Sequence, residues 1–293
     1  MSQDVQGEAF DYPEIFFEEK IHIIRQIHPD PIEITKAAEK IKESQQPLII
    51  AGGGVLYSEA EKELSAFAKK HNIPVTPTVM GIGCMQKDDP YYIGAIGCLG
   101  EGSSNSLSKD TDMAIAIGTK LGDFTTGSWT NFQNPKFQLV SINTARFDVT
   151  KHRAIPIISD AKIGLKELSD ILGDWKAPNS WYQRAVKERE KWDAYVEKNC
   201  GPTNQETPSY AHAVGAVYRN ADVSDIVVTA AGGLVGEVVQ IWKPKQLNTF
   251  ETEWGFSCMG YEISGALGIK MAKPEQDVIV FVGDGSYLLH NSD

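Results

Sequence analysis

From Pro31 onward the chain alternates between two apolar periods. Ile34, Ala37, Ala38 and Ile41 fall at i, i+3, i+4 and i+7, which lines one face of a helix. Residues 47–51 follow as a short, wholly apolar run that predicts a buried strand, closed by Gly52, Gly53 and Gly54. Ala60, Leu64, Phe67 and Ala68 return to helical spacing, and residues 73–76 predict a second strand. Further strands are predicted over 113–117, 137–142 and 155–158, then a helix over 161–172. Strands apolar on both faces must be covered on both faces, so this rhythm predicts a parallel sheet between two helical layers.

Gly173, Pro178, Gly201, Pro202 and Pro208 interrupt the rhythm, with a charged helix between them near 181–197. It resumes with a helix bearing Tyr210, Ala213, Val214 and Val217, a strand over 226–230 and a glycine turn. An extended stretch at 249–253, a helix over 261–272 and a strand over 278–282 complete the pattern. The predicted class is α/β. A doubly wound middle domain at 30–175 is preceded by a connector at 1–29. A linker at 176–206 then leads to the first part of a second α/β domain at 207–293. That second unit has about three strands, and its last ends eleven residues (293 − 282) before the final one. A parallel sheet stopped there leaves an apolar edge open, so a truncated domain is expected.

Composition narrows the classes. The 42% hydrophobic and 23% charged make-up is that of an ordinary globular protein. No apolar run approaches the ~20 residues that span a bilayer, and the acidic, polar N-terminus is no signal peptide. A net charge of −11 disfavours nucleic acid and anionic membrane as partners. Cys84, Cys98, Cys200 and Cys258 form no CxxC pair and read as reduced thiols of a cytoplasmic protein. The six histidines show no metal-ligand spacing, although His290 lies near the chemistry described next.

The strand at 278–282 runs into Gly283, Asp284, Gly285 and Ser286. Ligands of open α/β sheets bind at the carboxyl ends of strands. Glycines there let backbone N–H groups approach a phosphate, and a carboxylate can hold Mg²⁺ against a diphosphate. Asp and Gly also favour plain turns, so these four residues alone leave that reading open. A second glycine turn, with Gly232 and Gly233, follows the strand at 226–230. Between the two lies the segment from Gly255 through Cys258, Met259 and Gly260 to Tyr261, with Met259 25 residues (284 − 259) before Asp284. Glu253 and Glu262 flank that segment; turn or helix-surface positions are expected for both, with a substrate-facing position as the alternative for either.

This constellation resembles the thiamine diphosphate-dependent superfamily of acetolactate synthases and decarboxylases. The stretches beginning at Gln46, Ala116, Ile142 and Ile158 resemble its middle domain. The resemblance implies thiamine diphosphate and Mg²⁺ as cofactors, Asp284 as metal ligand and Met259, beside Cys258, as the prop under the cofactor. Gly283, Gly285 and Ser286 would face the diphosphate, with Gly232 and Gly233 on the other phosphate-side turn. Some relatives bind FAD against the middle domain, but Gly52–Gly54 lack the full dinucleotide pattern and read as a tight turn. Asp11 to Pro13, the stretch from Ala230 to Leu234, that from Glu253 to Glu262 and that from Gly283 to Tyr287 are similar to one branch. These are the hydrolases that cleave a C–C bond of a cyclic 1,2-diketone, trihydroxycyclohexanedione, in inositol catabolism.

That branch implies a polyhydroxy cyclic dione as substrate and a homodimer or homotetramer as the working assembly. The family's catalytic glutamate belongs to a pyrimidine-binding domain, and none of Glu8, Glu14, Glu18 and Glu19 sits in its strand–helix context. No catalytic residue is therefore assigned here, and the chain alone is expected to be inactive. An acetolactate synthase-like carboligase and a non-catalytic assembly module are the alternatives.

Overall fold

The structure is a computed structural model that describes residues 2–292. Its first unit is a five-stranded parallel sheet in the order β2-β1-β3-β4-β5. Along the chain, α1 (Pro31–Glu43) leads to β1 (Pro47–Ala51), then α2 (Glu61–His71), β2 (Val75–Pro77) and α3 (Gly102–Asp110). β3 (Met113–Ile117), β4 (Gln138–Asn143), β5 (Ile155–Ile158) and α4 (Ala161–Leu172) follow. The starts of α1 and α4 are set by Asp30 and Asp160, whose carboxylates accept from the N–H groups of the first helical turn.

Strand alternation divides the core into two layers. Ile49, Ala51, Met113, Ile115 and Ile117 pack among α1, α2 and α4, whereas Ile50, Ala114 and Ala116 face Leu121 and Leu139 on the other side. The glycines after β1 answer to packing. A Cβ on Gly54 would stand 2.6 Å from the Gly118 Cα, and Gly118 itself has φ +59. Two backbones cross there, which is the tight-turn reading of Gly52–Gly54.

Two helices departed from expectation. α3 was not predicted because its buried face carries Ser103, Ser104 and Ser108 beside a single Leu107. Those hydroxyls bond to backbone carbonyls of Ile93, Ala95 and Asn105, so a polar face is buried with its partners. The stretch between the glycine turn and the extended segment at 249–253, to which no element is assigned from the sequence, forms a helix over Leu234–Ile241 that buries Val235, Val238, Val239 and Ile241.

The charged helix near 181–197 is α5 (Asn179–Cys200), 22 residues long. It packs lengthwise on α3 and then reaches the second unit. Trp181, 3% exposed, donates from Nε1 to the Pro47 carbonyl at 2.8 Å. Trp181→Phe removes that donor and part of the buried ring, and we expect a loss of about 2 kcal/mol of stability. Urea unfolding measures it, and an unchanged midpoint would count against the anchoring role.

The second unit holds α6 (Tyr210–Asn220), β6 (Ile226–Thr229), α7 (Leu234–Ile241), β7 (Phe250–Thr252), α8 (Tyr261–Ala272), β8 (Val278–Val280) and α9 (Asp284–His290). Its three strands are parallel in the order β7-β6-β8. Val79, Ile82 and Ala95 from the first unit join Val227, Val238, Val239 and Phe250 in one core. Lys87 N–H donates to the Pro244 carbonyl across the same seam. Within residues 2–29, the rings of Phe10, Tyr12, Phe16 and Phe17 meet in tilted and edge-on contacts, and the Ile27 carbonyl accepts from the Asp160 N–H and the Ser159 hydroxyl. Among the described residues no helix is long and apolar enough to cross a membrane.

Candidate functional site

Three adjacent parallel strands end together at one edge of the second sheet. Val228 pairs with Val280 and Thr229 with Thr252, so the segments leaving β6, β7 and β8 emerge side by side, about 4.8 Å from strand to strand. β6 releases the turn with Gly232 and Gly233, β7 releases the loop from Glu253 to Gly260, and β8 releases Gly283 and Asp284. The carboxyl edge of a parallel sheet is where open α/β folds bind ligands.

The glycines leave room there. A Cβ on Gly232, Gly233 or Gly283 would meet no atom within 4 Å, and Gly232 adopts φ +88, a conformation that favours glycine. Asp284 opens α9 with its carboxylate exposed, and Oδ1 accepts from the Gly285 N–H at 2.9 Å. No basic side chain pairs with it among the described residues. Ser286, 3% exposed, lies beneath the same helix start.

Met259 reaches this turn from the neighbouring loop: its Cε would lie 3.2 Å from a Cβ on Gly285. It remains 45% exposed, so one side of it is open to a bound molecule. Cys258 is exposed beside it. Its thiol is shifted upward by local desolvation and by the Glu253 carboxylate, the reverse of an activated thiolate. His290 packs its ring over Gly260, where any Cβ would collide with it; Gly260 has φ +98 at the start of α8.

Carboxylates organise the loop. Glu253 accepts from the N–H groups of Phe256 at 2.9 Å and Cys258 at 2.6 Å. Desolvation pushes its pKa up, but the N–H donors of Cys258, Phe256 and Gly255 together outweigh it and hold the group below its ordinary value. Tyr261 donates from its hydroxyl to Glu251 Oε1 at 3.2 Å, and desolvation, then Glu251, raise its pKa to about 12.

Glu262 corrects the sequence reading. Expected at a turn or on a helix surface, it is fully buried, with Oε1 accepting from the Ala231 N–H at 3.2 Å and Oε2 from the Gly260 N–H at 3.0 Å. An acidic residue at a helix start was the sole local signal for this, because Ala231 is 31 residues away.

The arrangement suits a diphosphate with a hard cation. Glycines border open space at two turns, and the exposed Asp284 carboxylate, engaged only with the Gly285 N–H among the described residues, stands beside them. Among the described residues no group of three or more His, Cys, Asp or Glu could hold a metal by itself. A single carboxylate fits Mg²⁺, which keeps waters and takes its other ligands from phosphate oxygens.

Comparison with known proteins agrees with this chemistry. Residues 34–168 match the family described as thiamine pyrophosphate enzyme, central domain, and residues 230–293 match thiamine pyrophosphate enzyme, C-terminal TPP binding domain. The chain is similar to proteins named 3D-(3,5/4)-trihydroxycyclohexane-1,2-dione hydrolase. The one from Geobacillus thermodenitrificans (strain NG80-2) is 35% identical over 317 aligned residues, covering 100% of this chain and 49% of that protein. Those from Clostridium tetani (strain Massachusetts / E88) and Bacillus thuringiensis (strain Al Hakam) are each 36% identical with the same coverage. The chain thus spans about half the length of the relatives it matches.

Proposed function

Because the chain belongs to the thiamine pyrophosphate enzymes and carries their central and cofactor-binding domains, we propose that it is part of a hydrolase that uses thiamine diphosphate and Mg²⁺. Its reaction would cleave a C–C bond in a cyclic polyhydroxylated 1,2-diketone during inositol catabolism. The observation that carries the cofactor reading is the common edge at which Gly232, Gly233, Met259 and Asp284 emerge from three paired strands. The substrate reading is supported by the hydrolases that match the chain end to end.

When bound, thiamine diphosphate supplies the electron sink that lets a bond beside a carbonyl break. The residues of this chain hold it. Asp284, whose Oδ1 already takes the Gly285 N–H, would hold Mg²⁺, and the N–H groups of Gly232 and Gly233 would face phosphate oxygens. Met259 would support the ring system from below. A cytoplasmic homodimer or homotetramer is the assembly this reading favours, with no nucleic acid and no membrane as partner.

Titration of the 293-residue polypeptide tests it. We expect Mg²⁺-dependent binding of thiamine diphosphate at high micromolar concentration or weaker, without turnover of the dione. Binding that ignores Mg²⁺, or turnover by the polypeptide alone, would overturn the assignment. Carboligation of pyruvate in place of dione hydrolysis by the full-length enzyme would favour the acetolactate synthase-like alternative.

A further inference from the structure

We propose that Glu262 is a positioning residue that couples the two glycine-bearing segments of the cofactor site; the proposal rests on reading that site as the thiamine diphosphate site. A buried carboxylate is costly unless its oxygens are fully engaged. Glu262 has 0% exposure, and each oxygen takes one backbone N–H from a different segment: Ala231 after β6, and Gly260 before α8. The first turn of α8 adds the positive end of the helix dipole.

These two bonds have a consequence for the ligand. The N–H groups of Ala231 and Gly260 are taken by the protein's own anion, so the phosphate-facing donors on that side are those of Gly232 and Gly233. Glu262 also fixes the spacing between those donors and the Met259 loop. A glutamine cannot reproduce the arrangement, because its amide has one accepting atom and would point an N–H at the other donor. Glu253 provides a contrast: both of its loop bonds, to Phe256 and Cys258, stay within one segment.

Amide hydrogen exchange followed by mass spectrometry on the ligand-free chain tests the coupling, using Glu262→Ala, Glu262→Gln and Glu253→Gln. In Glu262→Ala we expect exchange about tenfold faster, or more, both in residues 230–236 and in 254–261, the scale for losing hydrogen bonds to a charged group. Strands β1 and β3 of the first unit should keep wild-type protection. Glu262→Gln should leave at least one of the two segments loosened, which serves if the alanine variant fails to fold. Glu253→Gln should loosen 254–261 and leave 230–236 unchanged. The proposal is overturned if 230–236 stays protected in Glu262→Ala, if Glu262→Gln matches wild type in both segments, or if β1 and β3 loosen equally.

A parallel titration with Mg²⁺ and thiamine diphosphate should show about tenfold weaker binding in Glu262→Ala than in Glu253→Gln; equal affinities would overturn the role toward the cofactor. A wild-type chain that binds no thiamine diphosphate but shows the expected exchange pattern would remove the cofactor reading and leave the coupling standing.

Discussion

Asp284→Ala should weaken Mg²⁺-dependent binding of thiamine diphosphate by on the order of a hundredfold while leaving the fold intact. Asp284 is the one carboxylate at the start of α9, exposed and bonded to the Gly285 N–H rather than to any lysine or arginine. Its removal therefore breaks no ion pair and buries nothing unsatisfied, and the unfolding midpoint should shift by less than about 1 kcal/mol. Binding should suffer, because an acidic chain has to accept a polyanion and the metal is what reverses the sign of that interaction. Asp284→Asn keeps an oxygen but loses the charge, so it should fall close to the alanine variant. The readout is the shift in unfolding temperature on adding cofactor with and without Mg²⁺, which tracks ligand binding to the native state. A wild-type shift retained in Asp284→Ala would remove the metal role.

The second large effect concerns pH and lies away from the cofactor edge. Glu101 precedes α3, is fully buried, and accepts from the Ala95 N–H at 3.0 Å. Lys243, just beyond α7, stands 3.5 Å from its other oxygen and is shared with Asp193 of α5. Tyr92 and Arg189 also act on this cluster. The cluster therefore ties the first unit, the long helix and the second unit together.

Burial pushes the Glu101 pKa up from 4.5 to about 7, against the opposing pull of Lys243 and the Ala95 N–H. Lys243, 3.5 Å away and shared with Asp193, is the largest opposing influence but offsets the burial only in part. A folded-state pKa above the unfolded value means that the folded form holds the proton more tightly. The stabilisation is complete below about pH 4.5 and is lost as pH rises through about 7. Its full size is about 3 kcal/mol. Glu101→Gln should remove this slope. The difference in unfolding free energy between wild type and variant should fall across that window and level off above it. Parallel urea-unfolding curves from pH 4.5 to 8 would show that Glu101 does not titrate on folding.

Much of the molecule was legible along the chain. The helix over Ala161–Leu172 keeps its expected limits because it has clean periodicity and an aspartate cap, and the strand over Ile155–Ile158 because it is a short apolar run between polar flanks. Strand 73–76 shifted to Val75–Pro77, since Ile73 is buried without joining the ladder. α3 escaped notice because its core face is made of serines whose partners lie elsewhere in the chain.

What the sequence determined by itself is the order of the strands and of the helices with a clear apolar period, the parallel α/β class and the residue types at the carboxyl ends of β6 and β8. These follow from local rules: a period of two or 3.6, a capping carboxylate, a glycine where φ is positive. The tertiary structure alone decided that β7-β6-β8 brings Gly232, Glu253 and Asp284 to one edge, that Glu262 is buried between two segments, and that Glu101 meets Lys243 at the seam. Those facts depend on strand order and on contacts between distant segments, such as the one across 31 residues from Ala231 to Glu262. A side chain's burial and charge partners are properties of what folds against it, which no local period encodes.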